Sequence, residues 1–163
     1  MILLKNNLTD LITNRVLLAA AFAWLIAQII KIFTSPAHRE RISFLRFVLG
    51  SGGMPSSHSA AVCATCFSCG ILYGFDSAIF AVAAVLAVVV MRDAAGIRRE
   101  AGKQAQVINQ VSQELSKKRK SFMVSNLQEL LGHTPLQVLF GGLLGLAMAY
   151  FCQCWLFLKI LPV

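Results

Sequence analysis

VLLAAAFAWLIAQIIKIF, Val16 to Phe33, is eighteen residues of nearly unbroken apolar sequence, interrupted only by Gln28 and Lys31. A helix of that length rises about 27 Å, close to the thickness of a bilayer's hydrocarbon core. Three further apolar stretches follow: about Ser59 to Phe75, Ser77 to about Met91, and Leu136 to about Leu158. The third of the four is short, and Ala94 and Ala95 extend it, with Arg92 and Asp93 near the interface. Gly74, Phe75 and Asp76 alone separate the second from the third, which predicts a tight helical hairpin with Asp76 as the cap of the new helix. Apolar residues make up 57% of the 163-residue chain and charged ones only 13%. Ordinary soluble domains carry about 25% charged residues, so lipid is the natural solvent for this chain.

These features predict an all-α fold: a polytopic membrane helical bundle of about four transmembrane helices with a cytoplasmic amphipathic helix. One integral-membrane domain covers residues 1–163, with spans at about 16–33, 59–75, 77–95 and 136–158. The segment Met1 to Arg15 is too polar after Leu4 to serve as a cleavable signal. Four spans put the two long connections, Thr34 to His58 and Gly96 to Thr134, on one side and both termini on the other. Those connections and the adjoining span ends hold 12 of the 15 Lys and Arg residues. The bias of basic residues toward the cytoplasm places both loops there, in a bacterial inner (plasma) membrane. The net charge of +8 is directed at lipid headgroups or a phosphorylated ligand. Nucleic acid is not expected as a partner, because no basic stretch is interleaved with aromatics on a soluble fold.

Cys63, Cys66 and Cys69 recur every third residue inside an apolar run, where they read as small packing residues rather than metal ligands; no metal site is expected. In the second long loop, Val107, Ile108, Val111 and Leu115 fall on one face of a helix over Gln104 to Leu115, and Lys117 to Lys120 follow as a basic cluster. This predicts a surface helix, solvated or lying on anionic headgroups.

Chemistry concentrates in three places. Gly50-Ser51-Gly52-Gly53-Met54-Pro55-Ser56-Ser57-His58-Ser59 is a glycine-rich loop feeding a helix N-terminus, a natural anion site. Gly53 would offer backbone N–H groups, Ser56 and Ser57 hydroxyls, and His58 a proton near neutral pH. Leu131-Gly132-His133-Thr134-Pro135 places His133 at the start of the fourth span, with Thr134 as cap and Pro135 in the first turn. A helix N-terminus disfavours imidazolium, so His133 is read as neutral and nucleophilic. Arg92-Asp93-Ala94-Ala95-Gly96-Ile97-Arg98-Arg99 supplies Arg98 and Arg99 for bidentate phosphate contacts. Asp93 either orients a histidine or pairs with an arginine. Lys31 either snorkels to the interface or reaches the phosphate. His38 reads as solvated, and Glu129, four residues before His133, is a carboxylate within helical reach of it.

Taken in order, Ser51 to Ala60, Asp93 to Ala105 and Glu129 to Pro135 resemble the divergent type-2 phosphatidic acid phosphatase family, related to the vanadium haloperoxidases. The resemblance covers nearly the whole chain from about residue 10. It implies that Pro55-Ser56-Ser57-His58 stands for a Pro-Ser-Gly-His phosphate motif whose histidine protonates the leaving group. It also implies that His133 is the nucleophile that becomes phosphorylated. Four positions after that histidine the wider superfamily has aspartate, and here Gln137 stands; a Ser-Arg pair before it and an Arg-Pro pair near Lys31 are also missing. The expected function is a membrane phosphatase hydrolysing a lipid phosphate or pyrophosphate through a phosphohistidine at the cytoplasmic face. Catalytic roles fall to His133, His58 and Asp93; Lys31, Gly53, Ser56, Ser57, Arg98 and Arg99 would hold the phosphate. No cofactor is implied, since fixed positive charge does the electrostatic work. The alternative is a membrane protein or transporter that binds a phospholipid or polyprenyl phosphate without cleaving it. Four spans are few to enclose a site, which leaves room for a homodimer.

Overall fold

The computed structural model describes residues 9–34, 53–118 and 132–157. It is a membrane bundle in which every regular element among the described residues is helical. The elements are α1 (Arg15–Thr34), α2 (Ser57–Tyr73), α3 (Ala78–Ala95), α4 (Ile97–Lys118) and α5 (Pro135–Phe151), the last continuing into a π-helical turn, Cys152–Leu156. Three stretches are long and apolar enough to cross a membrane: Arg15–Thr34, Ala78–Leu115 and Pro135–Leu156. The second contains both α3 and α4, divided at Gly96.

α2 is 17 residues long and the least apolar of the bundle's core helices. It is also the hub, packing against α1, α3 and α5. Protein rather than lipid surrounds it, and the residues it buries are small: Ser57, Ser59, Ala60, Cys63, Ala64, Cys66, Ser68, Cys69 and Gly70. The other helices meet it with small residues too. α1 buries Ala19, Ala23, Ala27 and Lys31, each four residues after the last, and Ala23 and Ala27 cluster with Ala60 and Ala64. α3 contributes Ala83 and Ala87 against Cys66 and Cys69, so the cysteines do act as packing residues. α5 contributes Gly141 and Gly145. A Cβ on Gly141 would stand 2.3 Å from the Ser56 carbonyl oxygen, and one on Gly145 would stand 2.4 Å from that of Ala60. The backbones therefore approach as closely as backbones can.

Large apolar side chains point the other way. Leu17, Phe22, Leu25 and Ile29 of α1, Val82, Val85, Leu86 and Val89 of α3, and Leu136, Leu139 and Leu143 of α5 are all exposed. Small residues inside and large ones outside is the membrane arrangement, because lipid tails already satisfy Leu and Val while only close packing draws helices together.

These contacts fix directions. Lys31, near the end of α1, meets Ser57 at the start of α2, and Ala23 and Ala27 before it cluster with Ala60 and Ala64 beyond, so α1 runs antiparallel to α2, whereas Gly141 against Ser56 and Gly145 against Ala60 make α5 parallel to it. The end of α1 and the starts of α2 and α5 therefore share one end of the bundle. At the other end, Gln153 donates to the Arg15 carbonyl at 3.1 Å. The α2–α3 turn lies there as well. Gly74 ends α2 at φ 92°, a left-handed value that suits glycine, and Ser77 rather than Asp76 caps α3, its hydroxyl accepting from the Phe80 N–H at 3.2 Å. The hydroxyl of Ser77 also donates to the Gly74 carbonyl at 2.7 Å, tying cap and turn together. α4 is longer than the helix expected over Gln104 to Leu115. It begins at Ile97, seven residues earlier, and an exposed Glu100–Lys103 ion pair at 2.7 Å lies in its first two turns.

Candidate functional site

The two histidines singled out by sequence meet at the shared end of the bundle. The rings of His58 and His133 are 6.1 Å apart between centroids and inclined by 60°. His58 is the second residue of α2 and exposed; His133 lies just before α5 and is buried.

α5 begins as read from sequence, with Thr134 as N-cap and Pro135 in the first turn. The cap is reciprocal: the Thr134 hydroxyl accepts from the Gln137 N–H at 3.3 Å, and Gln137 Oε1 accepts from the Thr134 N–H at 2.9 Å. That second bond has a chemical consequence. An N–H can only donate, so the Gln137 atom facing Thr134 is the carbonyl oxygen. The same oxygen stands 3.3 Å from His133 Nδ1. Nδ1 must then be the protonated nitrogen, and the lone pair of the neutral ring falls on Nε2. The His133 N–H donates to the Ala94 carbonyl at 3.1 Å, which ties the last turn of α3 to the start of α5. Asp93 is the neighbour of Ala94 and half-buried, so α3 brings its carboxylate-bearing turn to the same end.

The glycine-rich segment is anchored from two sides. The Ser56 N–H donates to the Gln137 carbonyl at 2.9 Å, and the Thr34 hydroxyl donates to the Met54 carbonyl. Gly53 adopts φ 80°, the left-handed conformation that glycine permits. Pro55 lies before the cap of α2 rather than in its first turn. Ser56 is that cap and is fully buried. Its hydroxyl oxygen accepts from the Ser59 N–H at 3.3 Å and the Ser59 hydroxyl at 3.1 Å, which makes it the cap of α2.

Ser57, the first residue of α2, accepts a hydrogen bond from Lys31 Nζ at 3.0 Å, and both residues are buried. The ammonium has three protons to donate, and Ser57 is its partner among the described residues. No carboxylate stands against it there. The Ser57 hydroxyl, accepting from Lys31, keeps its own proton to donate. The sequence carried a sign of this role: Lys31 continues the Ala19-Ala23-Ala27 line at the same interval of four, which puts it on the packed face of α1 rather than toward lipid.

Arg98 and Arg99 occupy the first turn of α4, directly after α3. Their side chains, together with His38 and Glu129, lie outside the described residues. Sequence reasoning gave no role to the Ala94 carbonyl or to Gly141, and only the packed structure displays them. It had marked Gln137 as standing where the superfamily has aspartate; the structure adds that its amide oxygen faces His133 Nδ1 and is half of a helix cap.

The uncharacterized membrane protein YuiD of Bacillus subtilis (strain 168) is 40% identical over 156 residues, covering 87% of this chain and 98% of that protein. No solved structure matches the chain. The profile described as the divergent PAP2 family matches residues 12–148, which takes in α1 to α4, both histidines and most of α5, and the chain belongs to that family.

Proposed function

We propose that the protein is a membrane phosphatase acting on a lipid phosphate or pyrophosphate at the cytoplasmic end of a four-span bundle, folded as one domain. The observation that carries this reading is the company kept by Lys31. A buried ammonium that among the described residues meets a hydroxyl and no carboxylate is costly near lipid and calls for an anion, and two imidazoles stand at the same bundle end.

In this reading Lys31, Ser57, Arg98, Arg99 and the backbone near Gly53 hold the phosphoryl oxygens. His133 Nε2 attacks phosphorus with its lone pair. As the N–P bond forms, the P–O bond to the lipid breaks, and His58 gives its proton to the departing oxygen. Attack needs about 3–3.5 Å from Nε2 to phosphorus, and proton transfer about 2.6–3.2 Å from His58 to the leaving oxygen. His58, now neutral, takes a proton from water as the water oxygen attacks the phosphohistidine, releasing phosphate and restoring both rings. Gln137 holds His133 in the reactive tautomer through its neutral oxygen, and Asp93 supplies negative charge nearby.

The experiment is release of phosphate by the purified protein in nanodiscs from a panel of lipid phosphates and pyrophosphates, with acid-labile phosphohistidine trapped by rapid quench. Turnover that survives intact in His133→Ala, or no turnover on any member of the panel, refutes it. One observation favours a second reading, in which the site binds a phospholipid or polyprenyl phosphate without cleaving it: Gln137 lacks the charge that would stabilise an imidazolium. Binding that persists in His133→Gln with no phosphate released by the parent protein would establish that alternative.

A further inference from the structure

α4 has its faces reversed relative to a helix that packs on its own protein. Among its described side chains the buried residues are Gly102 and Asn109, seven apart and therefore on one side. Ile97, Ile108, Val111 and Leu115 fall on another line, about 120–140° round the helix at 100° per residue, with Val107 beside them. All five are 48–70% exposed. The edge that carries glycine and asparagine is covered, and the edge that carries the branched apolar residues is bare.

We infer that α4 lies in the headgroup region of a bilayer containing anionic lipid, its apolar edge turned to the acyl chains. Two observations select the bilayer over another protein. The first is continuity. The outer face of α3, with Val82, Val85, Leu86, Val88 and Val89 exposed, is the lipid-contacting face of a spanning helix. The apolar line of α4 begins at Ile97, two residues beyond the end of α3 and across the single break at Gly96. The second is charge. α4 carries Arg98, Arg99, Lys103, Lys117 and Lys118 against only Glu100 and Glu114. A second copy of the same helix would bring the same surplus of positive charge, whereas an anionic surface complements it and Lys and Arg stems reach headgroups while the apolar edge stays below them.

Docking has a consequence at the other end of the helix. The first turn of α4 carries Arg98 and Arg99, and it follows directly on Ala94, whose carbonyl holds His133. An anionic bilayer that fixes the axis of α4 thereby fixes where the arginine pair stands. This consequence rests on the phosphatase reading; the docking does not.

The test is hydrogen exchange of the full-length protein in nanodiscs of phosphatidylcholine alone and of phosphatidylcholine with phosphatidylglycerol. Amides 104–115 should exchange about tenfold more slowly, or slower still, in the anionic discs. High salt should erase the difference, and Val111→Asp should abolish it while α1 and α5 exchange as in the parent. Equal exchange in the two kinds of disc overturns the inference. So does protection that depends on the number of copies per disc, which would assign the apolar edge to a second copy. Exchange is read without substrate, so failure of the phosphatase reading leaves this result standing, and the reverse also holds.

Discussion

Gly141→Ala tests how tightly the packing of α2 and α5 sets the distance between His58 and His133, on which the phosphatase reading depends. The added Cβ would lie 2.3 Å from the Ser56 carbonyl oxygen, 2.9 Å from Ser59 Cβ and 3.1 Å from the Ser56 carbonyl carbon. None of these atoms is the end of a flexible side chain, so the two helices must part by about 1 Å to reach ordinary contact. Overpacking of this kind costs about 1–3 kcal/mol. The shift falls where it matters, because Ser56 caps the helix that carries His58, and its N–H bonds to the Gln137 carbonyl beside His133. A misplacement of about 1 Å between reacting groups costs about 10²-fold in rate. Gly142→Ala is the control. Its Cβ would meet only Cys63 Sγ at 3.5 Å and Met91 Sδ at 3.8 Å, so it should be neutral or slightly stabilising through helix propensity. Gly145→Ala separates stability from chemistry. It meets the Ala60 carbonyl at 2.4 Å and Cys63 Cβ at 2.8 Å, one turn further from the histidines, so it should destabilise as much as Gly141→Ala and slow turnover less. The assay is thermal unfolding in detergent beside kcat/KM on the best lipid phosphate. Gly141→Ala with activity within about twofold of the parent, or Gly142→Ala equally impaired, would refute the reasoning.

Lys31→Met should weaken phosphate binding by about 1.5–3 kcal/mol, the value of a hydrogen bond to a charged group; it should appear as a raised KM, with Lys31→Arg partly restoring it. Orthovanadate should raise the unfolding temperature of the parent and not of Lys31→Met, since a ligand stabilises only the state that binds it. Gln137→Glu keeps an equally good capping residue and adds the missing charge beside Nδ1, so folding should be unchanged and phosphohistidine should form faster in a rapid-quench assay. Gln137→Leu should lose both the cap and the tautomer, lowering unfolding temperature and rate together. Thr134→Ala removes one half of that cap and should cost about 1 kcal/mol, read as a lower unfolding temperature.

The apolar helices were legible as elements of a membrane bundle because apolar runs of that length have few other meanings, although α2, expected as a span, is not among the stretches long and apolar enough to cross. The caps at Ser77 and α4 were less so, for local reasons. Asp76 and Ser77 are both good caps, and the choice between them was made by the Gly74 turn, whose carbonyl takes the Ser77 hydroxyl. The opening of α4 reads as a loop because Arg98, Arg99 and Gly102 interrupt the apolar pattern, yet the Glu100–Lys103 pair lies where a helix would put it. The pairing of His58 with His133 was legible only as a convergence of motifs. Seventy-five residues separate them, and although an even count of spans puts both on one side, nothing local indicates that α2 and α5 pack against each other. That information resides in Gly141 and Gly145, which look like ordinary spanning-helix glycines until the carbonyls they admit are known.

Close packing and anion chemistry are linked in this bundle by more than proximity. Larger residues along the α1, α2 and α5 contacts would hold the helices further apart, and the groups at their ends would spread with them. Because alanine, serine and glycine line the contacts, Lys31, Ser57, His58 and His133 come together from three helices at one end of the bundle. The hub helix tolerates serine for the same reason: its neighbours, not lipid, surround it, so a polar first turn carries little solvation cost. The features that make α2 a weak spanning segment by composition therefore suit it to carry the polar end that the phosphatase reading turns toward phosphate. Substitutions that make α2 more lipid-like at Ser57 or Ser59 should yield a chain that still inserts but has lost the geometry of the site.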